Sequence, residues 1–147
     1  MKTVFISGSI RGIGSEIALE YARHNYIVIL NGTKETDLSK KLLVNIKKRS
    51  IKSSVYYFNV TSRLEVEKNC NLILSKFKKI DVLINNVGIT RDKTFVNLNY
   101  KDWDSVIKTN LYSAFYITKN LISPMIKNKY GRIVNISSVV AQTGSFG

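Results

Sequence analysis

The sequence has one cysteine, one histidine, one proline and few acids. Cys70 alone excludes an internal disulfide and any cysteine-rich metal cluster, and points to a reducing, cytoplasmic compartment. His24 has no second ligand close by, so no metal is expected; its place near the end of the first predicted helix suits contact with that helix's negative pole. No apolar run approaches the ~18 residues that span a bilayer. The first seven residues reach polar, glycine-containing sequence too early for a signal peptide. No membrane contact is expected.

The 147 residues are 44% hydrophobic and 22% charged, enough for one domain over 1–147 whose core needs no staple. Against 10 Asp and Glu stand 23 Lys and Arg, a net charge of +13. Such an excess attracts nucleic acid, acidic membrane surfaces or phosphate-bearing cofactors and carriers. A plainer account is compositional, because Lys, Ile and Asn are all abundant and the lysines form no block or motif. They read as solvated helix faces, which argues against a basic nucleic-acid binder.

Hydrophobic periodicity gives the order of elements. Strands are predicted over 2–7, 26–30, 55–60, 81–85 and 132–137. Helices follow each of the first four, marked by Ile13, Ile17, Ala18, Tyr21 and Ala22, then by Leu38, Leu42 and Ile46, then by Val66, Cys70, Ile73, Leu74 and Phe77. Ser62 and Glu65 have capping-box spacing. The fourth helix is predicted as one long run over about 100–128, with Trp103, Val106, Ile107, Ala114, Ile117, Leu121 and Met125 as its apolar stripe and Pro124 kinking or ending it. Phe95, Tyr100 and Trp103 are expected to pack rather than to stack on bases. Strands that barely alternate are buried on both faces, so the prediction is a doubly wound, Rossmann-like α/β domain with a five-stranded parallel sheet.

The chemistry is expected where the first strand turns into the first helix, at Ser7-Gly8-Ser9-Ile10-Arg11-Gly12-Ile13-Gly14. Gly8 lets the chain leave the strand sharply, Gly12 clears space for a pyrophosphate, and Gly14 lets the helix pack closely. The helix N-terminus offers free N–H groups to the anion. The second strand ends in Asn31-Gly32-Thr33, with no acid there to repel a ribose 2′-phosphate, and Arg11 and Lys34 are close cations. NADPH is therefore expected over NADH.

This glycine spacing, with Arg11 before the second glycine, resembles the short-chain dehydrogenase/reductase family. Further resemblances follow in order: Asn85-Asn86-Val87-Gly88, Asn110 in Thr109-Asn110-Leu111, and 131–138 ending in Ser137-Ser138. Within the family, 88–92, 102–104 and Phe58-Asn59-Val60 are similar to acetoacetyl-CoA and 3-oxoacyl-carrier-protein reductases. The resemblance implies cofactor contacts at Gly8, Ser9, Arg11, Gly12, Ile13, Gly14, Asn31, Gly32, Thr33, Asn59, Val60, Asn86 and Gly88, with the Asn59 side chain at the adenine edge. It implies Ser138 as the hydrogen-bond donor to a substrate carbonyl and Asn110 as the holder of a relay water. It also implies an acyl-CoA or acyl-carrier-protein thioester as partner, with Lys127, Lys129 and Arg132 as a carrier-docking cluster, and a homo-oligomer.

The family's proton donor is the Tyr of a Y-x-x-x-K motif that follows the serine, and none of the eight tyrosines here has Lys four residues on. The chain is thus expected to be a C-terminally truncated, N-terminal part of such a reductase, inactive alone. It would work with a complementary C-terminal fragment or be a non-catalytic nucleotide-binding remnant. Its fifth strand would be an exposed apolar edge.

Overall fold

The computed structural model describes residues 1–144; the last three residues of the expected domain lie outside the described residues. Five strands form one parallel sheet in the order β3-β2-β1-β4-β5. They are β1 (Thr3–Ile6), β2 (Ile27–Gly32), β3 (Ser54–Tyr57), β4 (Val82–Asn85) and β5 (Arg132–Asn135). The helices are α1 (Gly12–Arg23), α2 (Asp37–Lys47), α3 (Arg63–Phe77), α4 (Tyr100–Ile107), α5 (Ser113–Lys127) and a short α6 (Val140–Thr143).

The apolar runs of the strands explain the layering. Val4 and Ile6, Val28 and Leu30, and Val82 and Ile84 point to the face covered by α1 and α2, where Ala18, Ala22 and Ile46 complete one core. Phe5, Ile29 and Leu83 point to the other face, under Val66, Cys70 and Ile73 of α3 and Ile117 and Leu121 of α5. Both faces are buried along β1 and β4 and nearly all of β2, as helices on each side of a parallel sheet require. Because β1 pairs with β2 on one edge and β4 on the other, the chain changes direction across the sheet between β1 and β4. The doubly wound, five-stranded prediction is what the chain adopts.

Several local expectations need correction. β3 stops at Tyr57 and not at Val60: the Phe58 amide still bonds to Gly32 O at 2.9 Å, but Asn59 then accepts the Thr61 amide at 3.0 Å and turns the chain out of the sheet. The Ser62–Glu65 box is only half formed. Ser62 Oγ accepts the Glu65 amide at 3.4 Å, while the Glu65 carboxylate accepts the Asn59 amide at 2.8 Å, because the Ser62 N–H is taken by Asn59 O. The complete box caps α2, where Thr36 and Ser39 exchange both bonds.

The predicted long helix is interrupted. A π-helical turn, Lys108–Tyr112, separates α4 from α5. Only α5 lies on the sheet, so Ile117, Leu121 and Met125 are buried while no residue of α4 is. Phe95, Tyr100 and Trp103 are correspondingly exposed rather than packed. Pro124 sits in the last turn of α5, and its carbonyl closes that end through the Asn128 amide at 3.0 Å. His24 is the C-cap residue of α1, at that helix's negative end as expected, and its ring also bonds to the Glu20 carboxylate at 3.1 Å. Cys70 is buried as expected. β5 is exposed along its length, and no helix of the described residues is long and apolar enough to cross a membrane.

Candidate functional site

A cleft of about 570 Å³ opens at the C-terminal ends of β1, β2 and β3. Its floor is the turn after β1. The Ser7 amide extends the ladder to Ile84 O at 3.0 Å, and the Ser9 amide bonds to Asn31 O at 2.9 Å. Gly8, at φ +61°, makes the sharp exit, and its amide donates to Asn31 Oδ1 at 3.1 Å. Asn31 is buried, with its carboxamide N–H groups turned to the carbonyls of Gly32, Tyr56 and Phe58 at 3.3–3.5 Å. It therefore shapes the turn from behind. Ser9 does the same, accepting the Asn31 amide at 2.9 Å.

The glycines fit a phosphate cradle. A Cβ on Gly14 would lie 2.6 Å from both Gly8 O and Asn86 Nδ2, so a side chain there would force α1 off the turn. Gly12 has φ +56° and nothing within 4 Å of where a Cβ would be, which leaves open space beside a backbone that glycine favours. Arg11 precedes the helix without a side-chain cap, so the first-turn N–H groups of α1 remain available to an anion. Ile13 is exposed at this end.

Arg11, Thr33 and Lys34 line the rim, together with Asn59 and Val60 at the far side. Glu35 is the acid closest in sequence to the rim, and Lys40 of α2 holds its carboxylate at 2.9 Å; no carboxylate lines the cleft among the described residues. That pairing also raises the Lys40 pKa. Asn59 Oδ1 is engaged with the Thr61 amide and hydroxyl at 3.0 and 2.9 Å, which fixes its orientation. Ile10, Thr36, Thr61, Val87 and Thr109 also line the cleft and were not singled out from sequence. The Ile10 side chain fills the space a Cβ on Gly32 would need, at 2.8 Å, a contact with no signal in the sequence.

The turn after β4 closes the other wall. Asn86 Nδ2 donates to Ser7 O at 3.0 Å and Gly8 O at 3.2 Å, binding the two turns together. Gly88 is exposed beside Asn110. Asn110 lies in the π-helical turn and grips Ile89 twice, accepting its amide at 2.9 Å and donating to its carbonyl at 3.0 Å. π-Turns of this kind concentrate at functional sites. Ser138 follows β5, which pairs with β4, so it leaves the same end of the sheet. Its Oγ accepts the Val140 amide at 3.4 Å and is exposed. The expected cofactor and catalytic residues thus gather at one end of the sheet, Asn31, Ser9 and Asn86 as supports and the others around the opening, whereas the expected carrier-docking residues Lys127, Lys129 and Arg132 lie at the opposite end, where α5 leads into β5.

A polar cluster around the buried Asn85 went unnoticed in the sequence. Asn85 Nδ2 donates to Asn135 Oδ1 at 2.8 Å and to Thr118 Oγ1 at 3.1 Å, linking β4, β5 and α5 at the end of β5 from which the chain runs on to Ser138.

The family model for short chain dehydrogenase matches residues 2–147. Over 147 residues the chain is 40% identical to the 3-oxoacyl-(acyl-carrier-protein) reductase FabG of Aquifex aeolicus, covering 99% of this chain and 59% of that protein. It is 37% identical to the FabG of Buchnera aphidicola over 146 residues, 99% of this chain and 58% of the relative. The Staphylococcus epidermidis FabG is 33% identical, with 60% of it covered. The chain therefore spans about three fifths of the length of these curated relatives. With the glycine cradle and the Asn86 and Asn110 turns in place, the chain belongs to the short chain dehydrogenase family.

Proposed function

We propose that these residues are the cofactor-holding, N-terminal portion of an NADPH-dependent 3-oxoacyl-thioester reductase, of the type that converts acetoacetyl-CoA to 3-hydroxybutyryl-CoA. The observation that carries the reading is the cradle itself: Gly8, Gly12 and Gly14 at an uncapped helix start, with Arg11 and Lys34 in a cleft lining that has no Asp or Glu. The α1 N–H groups would hold the pyrophosphate, and Arg11 with Lys34 the 2′-phosphate. Asn59 and Val60 would flank the adenine, with Thr33 near its ribose. NADPH bound there supplies a hydride. Ser138 would donate a hydrogen bond to the substrate carbonyl, and Asn110, by fixing Ile89, would hold the wall between cofactor and substrate.

The relatives' printed names support a thioester on an acyl-carrier protein as substrate, with acyl-CoA as the alternative carrier. Residues 1–147 hold no Tyr-x-x-x-Lys pair to protonate the carbonyl oxygen. On this reading they reduce no ketone by themselves, and the pair comes from further chain or from a complementary fragment. The exposed Ile133 and Val134 of β5 and Leu111 and Phe115 suit such a fragment or a second copy. A cytoplasmic setting completes the proposal. The test is NADPH binding by fluorescence. Arg11→Ala with Lys34→Ala should weaken NADPH about tenfold or more and leave NADH within about twofold. Equal losses for both cofactors would reject the assignment.

A further inference from the structure

A parallel sheet wrapped by helices has two ends, and the charge of this chain is divided unequally between them. The cleft takes the C-terminal ends of the strands. At the other end α1, α2, α3 and α5 stop and the strands begin. Lys2 precedes β1, and Arg23 ends α1. Lys47, Lys48, Arg49 and Lys52 lead from α2 into β3. Lys76, Lys78 and Lys79 lead from α3 into β4, and Lys127, Lys129 and Arg132 from α5 into β5.

Taking the last turn of each helix with its connection, this end holds twelve of the 23 Lys and Arg but two of the ten Asp and Glu. Its excess of ten supplies most of the net +13. Both acids are already paired: Glu20 with Arg23 at 2.7 Å and with His24, and Asp81 with Lys79 at 2.9 Å. The rest of the chain, with eleven cations and eight acids, is close to balanced. A lysine-rich composition alone would spread the excess along the chain rather than gather it at one end. Helix dipoles favour cations in a last turn, yet Lys2, Lys52, Lys79, Lys129 and Arg132 lie outside the helices.

Apolar side chains stand among these cations: Met1, Ile51 and Ile126 are 69%, 75% and 68% exposed. Lysines outnumber arginines nine to three here, whereas nucleic-acid recognition leans on the arginine fork. Tyr130 is not free to stack on a base, since Lys2 Nζ lies 4.5 Å and the Arg132 guanidinium 5.5 Å from its ring centroid. We infer that the end of the sheet remote from the cleft docks on an anionic lipid bilayer, its lysines meeting headgroups while Met1, Ile51 and Ile126 enter the interface. The cleft then faces solvent. The expectation of no membrane contact rested on the lack of a spanning segment and did not reach this surface. Its cations are far apart in sequence and are gathered only by the parallel crossovers.

The test is co-sedimentation of the full-length protein with vesicles of phosphatidylcholine alone or with about 30% phosphatidylglycerol. Binding is expected only to the anionic vesicles, falling about tenfold or more as salt rises from about 0.05 to about 0.5 M. Lys48→Glu/Arg49→Glu/Lys52→Glu should lose about tenfold or more. Lys41→Glu/Lys68→Glu/Lys101→Glu makes the same change in net charge elsewhere and should stay within about threefold. All six positions are exposed, so neither variant disturbs the core. Equal losses in both variants, or no binding at low salt, would overturn the inference. So would tighter binding to duplex DNA than to anionic vesicles at equal phosphate concentration.

Discussion

At the scale of single residues, the cradle separates glycines needed for packing from those needed for ligand access. Gly14→Ala forces a methyl to 2.6 Å from Gly8 O and Asn86 Nδ2. It should cost about 1–3 kcal/mol of stability in a urea titration and abolish cofactor binding together with it. Gly12→Ala meets no atom but must hold φ +56°, so its cost should be about 1–2 kcal/mol, from backbone strain alone. Asn31→Ala leaves the partly buried Gly8 amide without its acceptor and empties the buried carboxamide site, and should cost about 1–3 kcal/mol. Cys70 gives a pH signature. Burial pushes its thiol from an ordinary 9.0 up to about 12. A pKa raised on folding stabilises the protein fully below the unfolded value and loses that share as pH climbs from 9 towards 12. The urea midpoint should fall across that range, and less steeply in Cys70→Ala. Below pH 9 the native thiol should resist alkylation until the chain unfolds.

At the scale of elements, the π-helical turn is the piece that positions the cleft's inner wall. Asn110→Ala removes both bonds to Ile89, worth about 1 kcal/mol each. Amide exchange at Ile89 should quicken about tenfold or more, with global stability moving much less, because the segment opens locally. An unchanged rate at Ile89 would show that the loop is held elsewhere. The same element marks where the sequence was hard to read. β1, β2, β4 and their helices were legible because each apolar run is buried on two faces, and Gly8 to Gly14 were legible because their spacing is itself the geometry. The π-turn leaves no trace in a pattern of period 3.6, so 100–128 read as one helix. The exposure of Trp103 depends on α4 projecting past the sheet, which no local pattern encodes. Asn31 sat in the site by position, yet its supporting role arises from β2 and β3 register and the turn after β1.

At the scale of the whole molecule, the parallel topology gathers different residues at the two ends of the sheet. One end collects backbone N–H groups, Arg11 and Lys34 around an opening without carboxylates; the other collects most of the chain's positive excess. The direct measurement is calorimetric titration of the purified protein with NADPH and with NADH. Binding of NADPH about tenfold or more tighter than NADH is predicted, from charge-assisted contacts to the 2′-phosphate. No heat from either cofactor, or equal affinity for the two, would contradict it.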